Sequence, residues 1–249
     1  MTTLTVWDFI KIFCRLLFIQ ASWNYERMLN LGCCFCLLPF AKKYLNDPDA
    51  SGRREFLKRH LEFFNTHPYM ASWIIGATMK LEERGVDPKE IEKFKAHLSR
   101  TLAAVGDQLF WRLLKPVAAM IGVLLCLKSQ SVGMGLLSFL VIYNLPHVYT
   151  RVHGLVAGYQ KGFELVTTFP KKSYQSIMDI LNKLAGLLIG IGLVSIGASR
   201  LTAGGAELAA FLGGTILMYA LMKWKAPVPV ALLFLIFLSS IVGALVWLQ

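Results

Sequence analysis

The segment Leu61–Ala71 carries the side chains best suited to hold a small polar ligand. Its letters, LEFFNTHPYMA, place a carboxylate, an amide, a hydroxyl and an imidazole close together along the chain. The apolar spacing before them predicts a helix that ends at Pro68, so these groups would project from a helix terminus. We therefore predict that this segment contacts substrate through Glu62, Asn65, Thr66 and His67.

A second polar patch lies at Ser22–Met28, with the sequence SWNYERM. It combines an aromatic ring, an amide and a carboxylate, which can stack against or hydrogen-bond to a hydroxylated ligand. Further along the chain, a carboxylate after Gly106 could accept two hydroxyl groups. We predict that the same site is completed by Trp23, Asn24, Glu26 and Asp107.

Structural roles are the alternatives for all of these residues. Asn65–His67 could cap the helix that Pro68 ends, because short polar side chains bond readily to nearby backbone. Glu62 could pair with a cation on the helix surface, which is a weak interaction. Trp23 could anchor the chain at a membrane interface, and Asp107 could belong to a turn.

Two further chemistries are considered and not favoured. His67 could carry a phosphoryl group, but such a nucleophile needs an activating partner that the sequence does not indicate. Cys33, Cys34 and Cys36 lie in an apolar helical run whose Cys-Cys-Phe-Cys spacing does not suit tetrahedral zinc. We predict that these cysteines pack as small hydrophobic side chains, with no metal and no cofactor.

Composition indicates a membrane protein. The chain is 55% hydrophobic and 16% charged, whereas a soluble domain is about 25% charged. Residues 1–115 hold 17 Lys and Arg with 12 Asp and Glu, and residues 116–249 hold only 9 and 3. The C-terminal half is therefore predicted to be embedded in a bilayer.

About three membrane-spanning helices are predicted in the C-terminal part, near residues 177–199, 208–222 and 226–249. Each is an uncharged or nearly uncharged run, although the middle one is short for the roughly 30 Å of a bilayer core. Lysines cluster in the loops at one end of these runs. The positive-inside bias then places the N-terminal half in the cytoplasm and the C-terminus outside.

Residues 116–170 are predicted to form a bent or re-entrant hairpin in the membrane. Residues 116–127 are too short to cross alone, and the polar stretch around Pro146 interrupts the uncharged run that follows. Polar backbone at membrane depth occurs where it is packed in protein or lines a wet cavity.

The N-terminal half is predicted to be helical and amphipathic. Residues 1–20 form an arm that lies on a membrane or partner, because Lys11 and Arg15 interrupt its apolar run. Asp87 caps a helix that begins at Pro88, so Lys80–Arg100 is predicted to be a solvated helix–turn–helix.

The net charge of +11 is spread along the chain and is not gathered in a basic stripe with interleaved aromatic residues. Nucleic acid is therefore not a predicted partner. Membrane lipid with anionic headgroups is favoured instead.

Five ordered motifs resemble one family, the IID membrane subunit of mannose-type sugar phosphotransferase systems. They are SWNYERM at 22–28 with Leu31-Gly32, RHLEFFNTHPY at 59–69, Gly76-Ala77-Thr78 with Leu81-Glu82-Glu83, Val105-Gly106-Asp107 with Phe110-Trp111, and GYQKG at 158–162.

The resemblance implies a non-catalytic subunit that pairs with a IIC membrane subunit to form a sugar-translocating complex. A cytoplasmic IIB or IIAB protein would then phosphorylate the hexose as it arrives. The resemblance also implies a multi-pass protein of the bacterial cytoplasmic (inner) membrane and a homo-oligomer of IIC–IID pairs.

Three departures from the family pattern favour an alternative, a non-transporting scaffold or regulatory docking subunit. Gln108 stands where the family usually has proline, and Arg112 where it usually has glycine. The polar stretch at residues 200–207 is also shorter than is usual in the family.

The predicted fold is thus an all-α integral membrane protein in four parts. The amphipathic arm at 1–20 is followed by a helical core at 21–115 that bears the substrate-facing motifs. The hairpin region at 116–170 and the membrane-spanning helices at 171–249 complete the chain.

Overall fold

Helices make up most of this computed structural model, which describes residues 4–45, 51–201, Gly213 and Ile216. No strand occurs among them, and two isolated bridges provide the only β-type pairing there. The helices are α1 Val6–Leu16, α2 Asn30–Tyr44, α3 Ser51–Arg59, α4 Ala71–Glu83, α5 Pro88–Gly106, a π helix Asp107–Leu114, α6 Lys115–Ser129, α7 Val132–Lys161, a 3₁₀ turn Gly162–Glu164, α8 Leu165–Thr168 and α9 Lys171–Leu201.

Two helical runs in the described part of the chain are long and apolar enough to cross a membrane, Pro88–Ser129 and Val132–Thr168. Each run is longer than the roughly 20 residues that a membrane crossing needs. Their length and composition fit the all-α membrane protein that the sequence predicts.

Residues 116–127 are not an isolated short segment, contrary to expectation. They belong to α6, which continues without a break from α5 through the π helix. The stretch around Pro146 does not interrupt α7 either, because the helix runs through it from Val132 to Lys161. Helices α6 and α7 do form a hairpin, and a β-carbon on Gly122 would lie 2.8 Å from the Gly135 carbonyl oxygen.

Helix α4 is the centre of the core and packs along α7. Almost all of its residues are buried, so it is covered on every side, as expected for an apolar helix inside a protein. Glycines allow the close approach of the two backbones. A β-carbon on Gly76 would lie 2.2 Å from the Leu155 carbonyl oxygen, and one on Gly158 would lie 2.2 Å from that of Trp73.

Helix α1 packs on α2 through its buried face, which includes Ile12 and Leu16. Its start is fixed by a capping box in which Thr5 and Asp8 bond to each other's backbone. The chain then turns back closely over α2, where a β-carbon on Gly32 would lie 2.0 Å from the Ile19 carbonyl oxygen. Cys33 and Cys36 are buried in this core, as the packing interpretation predicts.

The predicted helix up to Pro68 is wrong in its second half, because α3 ends at Arg59. The backbone beyond it bonds to a distant loop instead. The Phe64 carbonyl accepts from Leu29 N–H at 2.8 Å, and Phe64 N–H donates to the Arg27 carbonyl at 3.3 Å. A tertiary contact has therefore replaced the local helical hydrogen bonds that the apolar spacing favours.

The start of α5 is confirmed. The Asp87 carboxylate accepts the Lys89 N–H at 2.9 Å, and Pro88 occupies the first turn. The segment Lys80–Arg100 is less solvated than predicted, because Glu82 and Lys95 are both buried.

The chain divides into two compact units, residues 1–188 and 189–249. The backbone of α9 covers the helix predicted near 177–199. The segments predicted near 208–222 and 226–249 lie outside the described residues, apart from helical positions at Gly213 and Ile216.

Candidate functional site

The two polar patches lie side by side. Met28 and Phe64 form a parallel bridge, which joins the loop before α2 to the extended chain after α3. Two side chains reinforce this junction, since Asn30 Nδ2 donates to the Leu61 carbonyl at 3.0 Å and Arg27 donates to the same oxygen at 3.2 Å. The structure thus brings together motifs that are more than thirty residues apart in sequence.

Within the first patch, Asn24 organises the loop. Its Oδ1 accepts Arg27 N–H at 2.8 Å, and its Nδ2 donates to Asn30 Oδ1 at 3.2 Å. Met28 has a positive φ of 59°, a conformation that non-glycine residues rarely adopt. Trp23 stays at the surface with its ring 4.6 Å from that of Tyr25.

A buried ionic network lies beneath the second patch. Glu82 on α4 accepts two bonds from Arg59, the shorter at 2.5 Å, and contacts His60 Nε2 at 2.9 Å. The Nδ1 of His60 lies 3.2 Å from Lys95 Nζ, and Lys95 also pairs with Glu62. Glu62 is therefore half-buried in an ion pair with α5, not paired with a neighbour on its own segment as the structural alternative expected.

Burial decides the charge states in this network. Desolvation lowers the pKa of His60 to about 4, although the hydrogen bond that its ring donates to Glu82 opposes the shift. Desolvation would raise the pKa of Glu82, but hydrogen bonds from His60 and Arg59 outweigh it and hold that pKa below its usual value. At neutral pH the network thus contains a neutral imidazole between two ion pairs.

His67 is a buried ring at the end of the second patch. Its Nδ1 accepts the Tyr69 N–H at 3.2 Å, and its Nε2 has no hydrogen-bond partner among the described residues. Desolvation, followed by the nearby charge of Arg151, lowers its pKa to about 3. The neighbouring Thr66 hydroxyl is also buried and has no partner in the part of the chain that the structure describes. Two adjacent polar groups are thus left with unused hydrogen-bonding capacity, which is rare for buried atoms.

The π helix begins beside His67. The His67 ring stacks on Phe110 with centroids 5.3 Å apart, and Trp111 lies 4.7 Å away. Gly106 touches the same ring, so Asp107 starts the π helix next to it. π-Helical turns are rare and occur often at functional sites.

Tyr69 is surrounded by residues of α7 that the sequence did not indicate. His147 stacks on its ring at 4.4 Å, and the Arg151 guanidinium carbon lies 4.6 Å from the ring centroid. The Tyr69 hydroxyl meets that of Tyr143 at 3.0 Å. Arg151 is buried and forms no ion pair among the described residues. A buried arginine in an apolar helix is a signal of function that could have identified this cluster.

The eight predicted site residues separate by exposure. Four are exposed: Trp23, Glu26, Asn65 and Asp107. Four are buried or half-buried: Asn24, Glu62, Thr66 and His67. The backbone bridge joins the two patches, and Gly106 brings the start of the π helix to His67, but Glu62 belongs to the ionic network under α5.

Helices of membrane-spanning length, polar clusters inside them and no described strand define an all-α membrane protein. Comparison of the sequence with protein families matches residues 3–198 to the PTS system mannose/fructose/sorbose family IID component. The chain belongs to this family.

Named relatives agree with this assignment. The chain is 38% identical over 168 residues to the PTS system mannose-specific EIID component of Escherichia coli (strain K12), a match that covers 66% of this chain and 58% of that protein. It is 32% identical to the PTS system sorbose-specific EIID component of Lacticaseibacillus casei, covering 97% of this chain and 93% of that protein. The match thus spans less than two thirds of the Escherichia coli relative.

Solved structures show the same fold. A chain described as "Structure of membrane protein" has a TM-score of 0.69 at 34% identity, with 78% of this chain and 71% of that chain covered. A chain from the "CryoEM Structure of Mannose Transporter ManYZ and Microcin E492 (MceA) complex" has a TM-score of 0.62 at 29% identity, with 98% and 97% covered.

Proposed function

We propose that this chain is the IID subunit of a mannose-type sugar phosphotransferase system and forms, with a IIC subunit, the complex that moves a hexose across the membrane. The observation that carries the proposal is the similarity over 98% of the chain to a structure of a mannose transporter complex. The names of the relatives, which are mannose-, fructose- and sorbose-specific components, support a hexose as substrate.

We propose that the sugar-facing surface is built from the two joined patches. Trp23, Glu26, Asn65 and Asp107 have the exposure that direct contact requires. Thr66 and His67 hold unused hydrogen-bonding atoms just behind this surface, and they would be completed when sugar or the partner subunit closes over it. Asn24 and Glu62 would position the two patches through their bonds to Asn30 and Lys95.

A non-catalytic role belongs to the same proposal. Phosphoryl transfer requires a donor in line with the acceptor, and the His67 ring is only 1% exposed. A side chain enclosed in this way cannot meet a phosphoryl donor, so we do not assign His67 as a phosphate carrier. The phosphoryl group would therefore come from a cytoplasmic IIB or IIAB protein.

We also propose a location for the chain. We propose a multi-pass protein of the bacterial cytoplasmic membrane with its N-terminus on the cytoplasmic side. The two long apolar runs, Pro88–Ser129 and Val132–Thr168, would lie in the bilayer together with the segments predicted within 171–249. IIC–IID pairs would assemble into a homo-oligomer. The lysines that cluster in the loops at one end of the predicted C-terminal spans support this orientation.

Binding of radiolabelled hexoses to the detergent-purified chain, alone and together with its co-expressed IIC subunit, tests the proposal. We expect saturable binding to the pair and none to the chain alone. Asn65→Ala should weaken binding about tenfold while the pair stays intact, because one or two sugar hydrogen bonds are lost. Asn182→Ala removes an exposed amide on α9 and is the matched control.

A stable pair that binds no hexose would overturn transport and favour the scaffold or regulatory subunit. Binding that survives Asn65→Ala and Asp107→Ala together would leave transport standing but remove the proposed sugar surface. The experiment therefore tests hexose transport and the position of the sugar-facing surface separately.

A further inference from the structure

A groove between α1 and α2 has the composition of a lipid headgroup site. Its lining includes the basic side chains of Lys11, Arg15, Lys42 and Lys43, the carboxylate of Asp8, and the apolar side chains of Trp7 and Ile10. Four cations and one carboxylate thus share a small concave surface whose remaining lining is mostly apolar.

The carboxylate in the groove is already neutralised. Asp8 accepts from Lys43 Nζ at 2.5 Å and from Thr5 at 2.7 Å, so it completes the cap of α1. Burial would raise its pKa, but the bonds from Lys43 and Thr5 lower it to about 2. One lysine is thereby balanced, and the positive charge that remains comes from Lys11, Arg15 and Lys42.

None of these three cations has a carboxylate partner among the described residues. Arg15 is held in place by a bond to the Phe35 carbonyl at 2.8 Å and by that residue's ring at 4.3 Å. Lys11 lies 5.9 Å from the Trp7 ring. Lys42 projects from α2 into the same groove. The groove therefore presents a preformed positive rim.

Apolar side chains continue from this rim along the exposed face of α1. Trp7 is 62% exposed and Val6 is 77% exposed, and Ile10 lines the groove. A large exposed apolar face on a soluble surface would be costly, but it is usual on a helix that lies in a membrane interface. Tryptophan in particular favours the headgroup level of a bilayer.

We propose that this groove binds an anionic phospholipid, with Lys11 and Lys42 contacting the headgroup phosphate and Trp7 and Ile10 contacting the first part of an acyl chain. The positive rim favours an anion, and the adjoining apolar side chains of Trp7 and Ile10 favour an anion that is attached to a hydrocarbon chain. The site holds the N-terminal arm to the bilayer. This proposal depends on the chain being a membrane protein and is independent of sugar transport.

Fluorescence quenching by brominated lipid tests the site. The full chain is reconstituted in phosphatidylcholine vesicles that contain increasing amounts of brominated phosphatidylglycerol, or of equally brominated phosphatidylcholine. The Trp7 signal is the part of the fluorescence that Trp7→Phe removes. We expect the anionic quencher to reach half-maximal Trp7 quenching at a several-fold lower mole fraction than the zwitterionic quencher.

The double variant Lys11→Gln/Lys42→Gln should abolish that preference, because each lysine near an anionic surface contributes about a fivefold factor. Lys89→Gln/Lys93→Gln removes two exposed lysines from α5 and is the matched control, which should keep the preference. Equal quenching by both lipids in the wild type would overturn the proposal. So would a preference that persists without Lys11 and Lys42.

A free anion is distinguished by competition. Millimolar inorganic phosphate at constant ionic strength should leave the preference unchanged, since it lacks the chain that Trp7 and Ile10 contact. Loss of the preference under these conditions would overturn the lipid assignment in favour of a simple anion site.

Discussion

Gly106 packs directly on the ring of His67: a β-carbon at position 106 would lie 2.3 Å from both Cβ and Cγ of the histidine. The close approach fixes where α5 ends and the π helix begins, beside the Asn65–His67 segment. Gly106 and His67, which lie in two different family motifs, therefore pack directly against each other.

Replacement of this glycine should destabilise the fold. Gly106→Ala forces apart His67 and α5, and overpacking of this kind costs about 2 kcal/mol. We expect a lower midpoint of thermal unfolding for the detergent-solubilised chain, followed by intrinsic fluorescence. Gly186→Ala on α9 is the control, because no described residue lies within 4 Å of its added methyl group. Equal midpoints for the two variants would show that the His67 contact is not tight.

The buried ion pair of Glu62 and Lys95 gives a second prediction. Lys95→Met leaves the Glu62 carboxylate without its partner and removes a neighbour of His60. Loss of one member of a buried pair costs about 3 kcal/mol. The double variant Glu62→Gln/Lys95→Met should recover part of this loss, because no charge is left unpaired.

Chemical unfolding in detergent measures both variants. Lys93→Met removes an exposed lysine from the same helix and should change the free energy of unfolding by no more than about 0.5 kcal/mol. If the double variant is less stable than Lys95→Met alone, the pair does not act as a unit.

Acid should destabilise the N-terminal unit in a window set by its buried imidazoles. Burial lowers the pKa of His60 to about 4 and, with the Arg151 charge, that of His67 to about 3. The unfolded chain therefore binds more protons below its ordinary histidine pKa, near 6.5, and stability falls as the pH drops from 6.5 towards 4. At pH 5 each histidine should cost about 2 kcal/mol relative to neutral pH.

His67→Asn separates the two contributions. The amide can keep the acceptor for Tyr69 N–H but does not titrate near neutral pH. Thermal unfolding at pH 7 and pH 5 should therefore show about half the acid-induced loss in this variant. A loss as large as that of the wild type would mean that His67 is already protonated or exposed in the folded chain.

The sequence predicts the helical class, the start of α5 and the packed cysteines well, because each follows from local chemistry. The Asp87 cap needs only neighbours within its own turn. The sequence-based prediction fails at Leu61–His67, where apolar spacing typical of a helix is overridden by two backbone hydrogen bonds. Phe64 N–H donates to the Arg27 carbonyl, and the Phe64 carbonyl accepts from Leu29 N–H. Such pairing depends on a partner over thirty residues away, which no local pattern specifies.

Only part of the candidate site can be predicted from local sequence. The polar segments stand out in sequence, yet Glu62 lies in an ion pair with Lys95 and not on the exposed surface with Asn65. The sequence does not identify Tyr143 and Arg151 as site residues, because the apolar sequence of α7 does not show which face of the helix packs against α4. Only the tertiary fold shows that they surround Tyr69.

The hydroxyl pair of Tyr69 and Tyr143 offers a direct test of the contact between the segment before α4 and α7. Their oxygens lie 3.0 Å apart, so each hydroxyl serves as the partner of the other. Tyr69→Phe or Tyr143→Phe alone strands one hydroxyl and should cost about 1 kcal/mol. The double variant strands neither, so its cost should be no greater than that of one single variant.

Tyr149→Phe, at an exposed position on α7, should be neutral. Thermal unfolding of the four variants gives the coupling between the two positions, and strictly additive losses would mean that the two rings do not share a hydrogen bond in the folded protein.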